Sequence, residues 1–397
     1  VKYVIIIPDG GADLALEELD GRTPFEAART PNLDKLALAG RVGTCATTPA
    51  GFGAGSDVCT MCLLGYDPGV YHTGRAPLEA AALGLEPPEG AWVFRVNLVT
   101  VGDEGTGDAG LMLDHSAGAI TDGEARELLA ALESHWRAEL PEVFEGVSLT
   151  PGVSYRNIMV DASGRPFEDV QTTPPHEIPG EAWREHLPTG GEAGEVLTRL
   201  IEASGEVLGS HGVNLARVRA GKRPANLAWI WGQGTRPTLP AFEARFGLRG
   251  AMLTSVDLLR GIARLIGWDL IECAGLTSYH DTDYAAQGRA TIAALAGYDV
   301  VCCHVEAPDE ASHQADSSVK VASLEAIDRE IVGPVVEHLE RYGHPEEEDG
   351  AEGWRVLVMP DHYTLCSTRK HDGTPVPFAM AGAWVRSVVE RTLTEAE

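Results

Sequence analysis

Tyr3-Val4-Ile5-Ile6-Ile7-Pro8-Asp9-Gly10 is the stretch that decides how this chain folds. Five apolar residues run without polar interruption into a proline, an aspartate and a glycine. A run this short, continuous and rich in β-branched side chains fits a strand buried on both faces of a parallel sheet. Two later stretches repeat the pattern. Val300–Val305 leads into Glu306-Ala307-Pro308-Asp309, with His313 four residues beyond, and Val356–Met359 leads into Pro360-Asp361-His362, with His371 nine residues after His362.

Helical patterns alternate with these runs. Thr30-Pro31-Asn32-Leu33-Asp34 predicts a helix start, with Thr30 as N-cap and Pro31 at the first position. Ser255–Ile266 and Ser317–Leu339 are amphipathic. Strand–helix alternation of this kind predicts an α/β fold with a doubly wound, mostly parallel sheet. The middle of the chain reads differently. Ala91–Leu113 and Val153–Val160 suggest hairpin strands, and Thr173-Pro174-Pro175-His176 and Pro188–Gly194 are loop chemistry. The first pattern resumes at Ala251–Leu253 and Leu270–Cys273. Residues 1–74 and 241–397 are therefore read as one core domain, and 75–240 as a smaller inserted α+β domain.

Composition narrows the function. A chain of 397 residues is long enough for more than one domain. Its formal charge of -28 opposes nucleic-acid binding, because phosphates would be repelled. No apolar run reaches the ~18–20 residues of a membrane helix, and the apolar start lacks the basic flank of a signal peptide. Seven cysteines, most of them in apolar runs, suit buried thiols in a reducing cytoplasm better than disulfides. Cys59 and Cys62 have CxxC spacing, but no second pair follows, so they read as helix-face thiols rather than a zinc knuckle. The sequence does not specify an oligomeric state.

In open α/β sheets, ligands sit beyond the carboxyl ends of the strands. The three strand ends would thus bring Asp9, Asp309, His313, Asp361, His362 and His371 to one edge. Carboxylates gathered there repel one another unless cations lie between them. Asp309 and His313 are spaced to face one ion, while the neighbours Asp361 and His362 can face two. That predicts two divalent cations, and mixed carboxylate and imidazole donors favour manganese or zinc, with magnesium also suitable. His304, inside the second run, reads as a satisfied core histidine.

Gly51-Phe52-Gly53-Ala54-Gly55-Ser56-Asp57 precedes a helical stretch, Val58–Leu64. On its own, Ser56 would read as a helix cap. Beside a cation site, a serine at a helix N-terminus becomes a candidate nucleophile for phosphoryl chemistry, since glycines turn backbone amides toward an anion. The Walker pattern is absent. Arg75, His115, Arg156 and Arg260 are candidates to grip a small phosphorylated, carboxylate-bearing substrate, arginine's fork suiting both groups.

Taken together, the motifs resemble the archaeal-type, bisphosphoglycerate-independent phosphoglycerate mutases, a branch of the alkaline phosphatase superfamily. The resemblance spans nearly the whole chain. It rests on Ile7-Pro8-Asp9-Gly10, Arg29–Asp34, Gly55-Ser56-Asp57, Leu64–Pro68, Tyr71–Glu79, Asp114–Gly118, Pro174-Pro175-His176, Pro224-Ala225-Asn226, Trp231–Gly234, Glu306–His313 and Asp361 through Pro377, in that order. It implies that Asp309, His313 and His371 hold one metal. Asp9, Ser56, Asp361 and His362 would hold the other, with Ser56 also accepting phosphate. It further implies interconversion of 3- and 2-phosphoglycerate through a phosphoserine, with His115, Arg156 and Arg260 contacting substrate. Arg260 stands where the family usually has lysine. The same site chemistry also fits a phosphatase or a homoserine kinase-like enzyme, and the N-terminal third is as similar to a bacterial branch resembling the latter. A metal-binding pseudoenzyme is the remaining alternative, disfavoured by the presence of all seven site residues.

Overall fold

A computed structural model of the chain describes residues 1–103 and 105–395. It contains two compact units, one formed by Val1–His72 with Thr238–Glu397 and the other by Thr73–Pro237. Strands β1 (Lys2–Pro8) and β2 (Arg41–Cys45) open the first unit. The second holds β3 (Trp92–Val101), β4 (Met112–Asp114), β5 (Val147–Pro151), β6 (Arg156–Asp161) and β7 (Leu227–Thr235). Then β8 (Gly250–Leu253), β9 (Asp269–Leu270), β10 (Val300–Val305), β11 (Trp354–Val358), β12 (Tyr363–Leu365), β13 (Lys370–Asp372) and β14 (Val376–Gly382) complete the first.

The first unit is built on a seven-stranded sheet of order β2-β14-β11-β1-β10-β8-β9. Five strands, β11-β1-β10-β8-β9, run parallel, and β14 and β2 add an antiparallel edge. β1 lies at the centre, paired with β10 from Tyr3↔Val300 to Pro8↔Val305 and with β11 from Lys2↔Trp354 to Ile6↔Val358. All six residues of β10 are buried, as a strand covered on both faces requires. Val4, Ile6, Val301, Cys303, Val356 and Val358 share one core with Leu33, Leu324, Ile331 and Val335 from the helices. Each such side chain contributes about 1.5–3 kcal/mol by leaving water. Leu270–Cys273 is strand only at Leu270, because β9 is the two-residue sheet edge Asp269–Leu270.

Two helix expectations need correction. Thr30 occupies the N-cap position of helix Pro31–Ala39, but its side chain makes no capping bond. The Asp328 carboxylate does that work instead, accepting from the Asn32 and Leu33 backbone N–H groups at 3.3 and 2.7 Å. The amphipathic stretch Ser317–Leu339 is not one α-helix. Helix Ser317–Ile327 passes through a π-turn, Asp328–Val332, into helix Gly333–Leu339. Pro334 has no N–H to give the preceding turn, which is a sufficient cause for the widened ladder.

The second unit has a five-stranded sheet, β4-β3-β6-β5 with β7 on the other side of β3, in which every pairing is antiparallel. Helices Asp122–Glu139 and Gly191–Leu208 contribute Leu128, Leu132, Trp136, Leu197 and Leu200 to a core with Phe94, Leu98 and Trp229. Ala76 and Ala80 of helix Arg75–Ala82 pack with Val93 and Ile158. β3 is consequently buried along its interior. Among the described residues no helix is long and apolar enough to cross a membrane, and all seven cysteines are free.

The loops beyond the parallel strands are tied together by a buried ammonium. Lys320 is fully buried and donates to the Ala12 and Thr364 carbonyls at 3.0 and 2.8 Å and to Asp13 Oδ2 at 3.2 Å. The same carboxylate oxygen accepts from the Cys366 N–H. One cation thus fastens the loop after β1 to β12. Lys320→Met should strand Asp13 without its partner and lower stability by about 3–5 kcal/mol. Chemical unfolding of the metal-free protein would show this, and an unchanged midpoint would refute the assignment.

Candidate active site

The carboxyl ends of β1, β10 and β11 deliver the candidate ligands to one place. Asp9 follows β1, Asp309 and His313 lie on helix Ala307–His313 just after β10, and Asp361 and His362 follow β11. His371 comes from β13, whose pairing with β12 sets Thr364 opposite His371. Asp9, Asp361 and His362 are fully buried, and Asp309 nearly so. Gly10 makes this convergence possible. Its φ is +56°, and a Cβ there would stand 2.4 Å from Thr364 Oγ1 and 2.5 Å from Asp309 Oδ1. Only glycine accepts both that backbone and that approach, and its N–H donates to Asp361 Oδ1 at 3.1 Å.

Three histidines are turned the same way. His313 Nδ1 faces the Arg369 carbonyl at 3.0 Å, His371 Nδ1 faces the Ala54 carbonyl at 3.2 Å, and His362 Nδ1 lies 3.1 Å from Thr364 Oγ1 and 3.3 Å from the Tyr363 carbonyl. Carbonyls only accept, so each Nδ1 carries hydrogen and, in the neutral ring, Nε2 presents a lone pair inward. These lone pairs meet one another and the carboxylates. His313 Nε2 is 3.0 Å from His371 Nε2 and 3.1 Å from Asp309 Oδ2, and His371 Nε2 is 3.4 Å from Asp309 Oδ1. His362 Nε2 is 3.4 Å from Asp9 Oδ1 and 3.5 Å from Asp361 Oδ2.

Acceptors that face each other so closely need positive charge between them. Donor atoms held ~2.1 Å from a single ion at octahedral or tetrahedral angles lie about 3.0–3.4 Å apart, which is the spacing seen here. Asp9 Oδ1 and Asp361 Oδ2 are moreover buried with no hydrogen-bond partner. The donor set therefore fits metal cations. The ligand atoms of Asp309, His362 and His371 come together, as do those of Asp9, Asp361 and His362, so the His362 ring is common to both groups. His362 also stacks on His371 with centroids 4.1 Å apart.

Proton affinities show the same charge starvation. Burial, and then the Asp9 carboxylate, push Asp361 up to about 7. Burial followed by Asp9 and Asp309 raises Glu306 well above the carboxylate range. Burial opposes ionisation of Asp309 too, but hydrogen bonds from His313 and His371 hold it well below that range. Its hydrogen bond to Asp309 raises His313 to about 9. Protons act here as substitutes for metal charge.

Ser56 is not a capping residue. Gly55 holds the N-cap position in an extended conformation, and Ser56 is the first residue of helix Ser56–Leu63. Its hydroxyl turns to the acidic group, donating to Asp9 Oδ2 at 3.2 Å and lying 3.3 Å from His362 Nε2. A helix start and a hydroxyl within this ligand group are what phosphoryl transfer to serine requires.

The substrate-binding candidates separate by unit. Arg260, on helix Asp257–Leu265 of the first unit, pairs with Glu272 at 3.2 Å. Arg75, His115 and Arg156 belong to the second unit, where they join residues to which the sequence assigned no role. His115 lies edge-on to Tyr155 and His176, at 5.8 and 6.1 Å, and His176 is edge-on to Trp231 at 5.5 Å. Arg95 lies over Trp231 at 4.2 Å and pairs with Glu79 at 3.1 Å. Asn97 supports the group, donating to the His115 carbonyl and accepting from the Trp231 indole. Burial, then the charges of His115, Arg75 and Arg95, push His176 down to about 4. Such a concentration of positive charge suits an anion. Arg95 was legible only as an interior residue of a strand, and Trp231 only as part of a motif with no role assigned, since nothing in spacing marks β3 and β7 as neighbours.

Thr364 is a further unanticipated residue. Its hydroxyl donates to Asp309 Oδ1 at 2.5 Å and accepts from His362 Nδ1, so it orients one ligand from each end of the site. Thr364→Val should weaken cation binding about 10–100-fold, the usual cost of losing an outer hydrogen bond to a ligand. Thr364→Ser should not. Calorimetric titration of the metal-free variants with manganese distinguishes the two outcomes.

Comparisons with known proteins show the family. A family model described as 2,3-bisphosphoglycerate-independent phosphoglycerate mutase matches residues 37–214. The protein of that name from Methanothrix thermoacetophila is 44% identical over 385 residues, covering 97% of this chain and 92% of its own length. The one from Methanosarcina acetivorans is 43% identical, covering 96% and 90%. A solved structure of a Pyrococcus horikoshii protein has 28% identity and a TM-score of 0.77, covering 99% of this chain and 91% of its own. The cofactor-independent phosphoglycerate mutase from Thermoplasma acidophilum, at 24% identity, shares the fold with a TM-score of 0.63, covering 100% and 93%. Identity above 40% over nearly the full length, on a chain with this site, places it in the 2,3-bisphosphoglycerate-independent phosphoglycerate mutase family.

Proposed function

We propose that this chain interconverts 3-phosphoglycerate and 2-phosphoglycerate without added 2,3-bisphosphoglycerate, Ser56 carrying the phosphoryl group between the two hydroxyls. The position of the Ser56 hydroxyl, between Asp9 Oδ2 and His362 Nε2 at a helix start, is the observation that carries the reading. In the first half-reaction the Ser56 Oγ–P bond forms as the substrate's O3–P bond breaks, and the freed O3 takes up a proton. In the second, the glycerate 2-hydroxyl attacks, its O2–P bond forming as the Ser56 Oγ–P bond breaks, and the proton that O2 gives up is balanced by the one that Ser56 Oγ takes back. Asp9 Oδ2 accepts the hydrogen bond from Ser56 Oγ and fixes the line of attack.

Asp309, His313 and His371 would hold one divalent cation, and Asp9, Ser56, Asp361 and His362 a second. Bound there, the cations would offset charge on the phosphoryl oxygens and lower the pKa of the serine hydroxyl. Mixed carboxylate and imidazole donors favour manganese, with zinc or magnesium as substitutes. The second unit serves recognition. Arg75, His115 and Arg156 are its proposed contacts to the phosphate or carboxylate, and Arg95 reinforces their charge. Arg260 is the proposed contact from the core unit. Arginine's paired N–H groups match both anionic ends of phosphoglycerate.

Two measurements test the proposal. Ser56→Ala should lower mutase turnover by roughly 10⁴-fold or more, while manganese content stays near that of the unmodified protein; retained turnover would remove the phosphoserine step. Chelation should abolish conversion of 3-phosphoglycerate, and manganese should restore it more fully than magnesium. Equal activity in the metal-stripped protein would rule out a metal-dependent route.

A further inference from the structure

His304 differs from the three histidines that face inward. It lies on β10, fully buried, and the sequence gives it no role beyond the core. Its Nε2 sits 2.8 Å from Asp9 Oδ2. A carboxylate oxygen only accepts, so Nε2 carries hydrogen and donates. At the other side of the ring, Nδ1 lies 3.1 Å from Thr254 Oγ1. That hydroxyl already accepts from the Val256 N–H at 3.1 Å, and Thr254 is itself buried. Its own hydrogen is therefore best satisfied on Nδ1, since a buried hydroxyl without an acceptor costs about 1–3 kcal/mol. The ring has the opposite polarity from His313, His362 and His371. It presents a proton where they present lone pairs.

The consequence falls on Asp9. Its Oδ2 accepts from both His304 Nε2 and Ser56 Oγ, and its Oδ1 is left toward His362 without a hydrogen-bond partner. A carboxylate held at one oxygen by a ring anchored in the central sheet cannot exchange its two oxygens by rotation. We propose that His304, oriented by Thr254, is a positioning residue. It fixes Asp9 so that Oδ2 aligns the Ser56 hydroxyl and Oδ1 is committed to a cation. This rests on the phosphoserine reading for its effect on turnover, but not for its effect on cation binding. Glu306 Oε2 lies 3.9 Å from His304 Nε2, and Asp9, His304 and Glu306 could themselves gather around an ion. The hydrogen bonds at both ring nitrogens favour the donor role over that of a ligand.

The test uses His304→Leu, which removes the donor, and His304→Gln, whose amide N–H replaces it. Metal-free proteins are titrated with manganese, and steady-state mutase kinetics are measured on the loaded ones. The expected result for His304→Leu is a loss of about 10–100-fold in the affinity of one of two binding steps. Its kcat should fall by a similar factor, with KM within about twofold, and His304→Gln should recover most of both. Thr254→Val should shift in the same direction by a smaller factor, and it carries the test if His304→Leu does not fold. Unchanged manganese affinity in His304→Leu overturns the proposal, as does a glutamine variant no better than leucine. Three ions bound by the unmodified protein and two by His304→Leu would make His304 a ligand and likewise overturn it. Absence of mutase activity in the unmodified protein would sink the functional reading, while the titration would still decide the role of His304.

Discussion

The whole site depends on one electrostatic constraint: Asp9, Asp309 and Asp361 are carried into the protein interior at three strand ends, and among the described residues no lysine or arginine pairs with them. Among the described residues imidazoles are the nearby counterparts, and three of those show lone pairs to the carboxylates. Buried acids so arranged repel one another by several kcal/mol unless charge is supplied. In the metal-free chain protons supply it, which is why Asp361 and His313 bind theirs so firmly. The fold tolerates this because the surrounding contacts are strong: a sheet buried on both faces, a glycine with no room for a methyl group, and a caged ammonium.

The two units divide the charge between them. The core unit gathers acids and imidazoles. The second unit gathers Arg75, Arg95, Arg156, His115 and His176 around Trp231 and Tyr155. On a chain with a net charge of -28, such a local excess of cations is informative. The proposed contacts to an anionic substrate, Arg75, His115 and Arg156, fall within it.

Much of this was legible in the sequence because strand ends are punctuated by composition. Apolar runs of four to six residues ending in Pro-Asp, Glu-Ala-Pro-Asp or Pro-Asp-His announce both the sheet and its ligand edge. Asp9, Asp309, His313, Asp361, His362 and His371 were all found that way. What escaped depends on contacts across hundreds of residues. Nothing near Lys320 shows that it meets Ala12 and Thr364, and nothing near Asp328 shows that it caps a helix beginning at Pro31. The partner of His304 was hidden for a related reason. A histidine inside an apolar strand looks satisfied, and it is, but its partner is the carboxylate that also holds Ser56.

The place of β1 has a consequence for how the chain matures. β1, made before β10 and β11, is central in the finished sheet, with both edges taken by those two strands, which begin at residues 300 and 354. During synthesis its hydrogen-bonding edges and apolar faces must wait for most of the polypeptide. Closing loops of that length is slow, and unpaired strands invite association with other chains. The antiparallel second unit, whose strands all fall between residues 92 and 235, has no such delay. It is suited to form early, leaving the parallel sheet to assemble last around a strand kept in reserve.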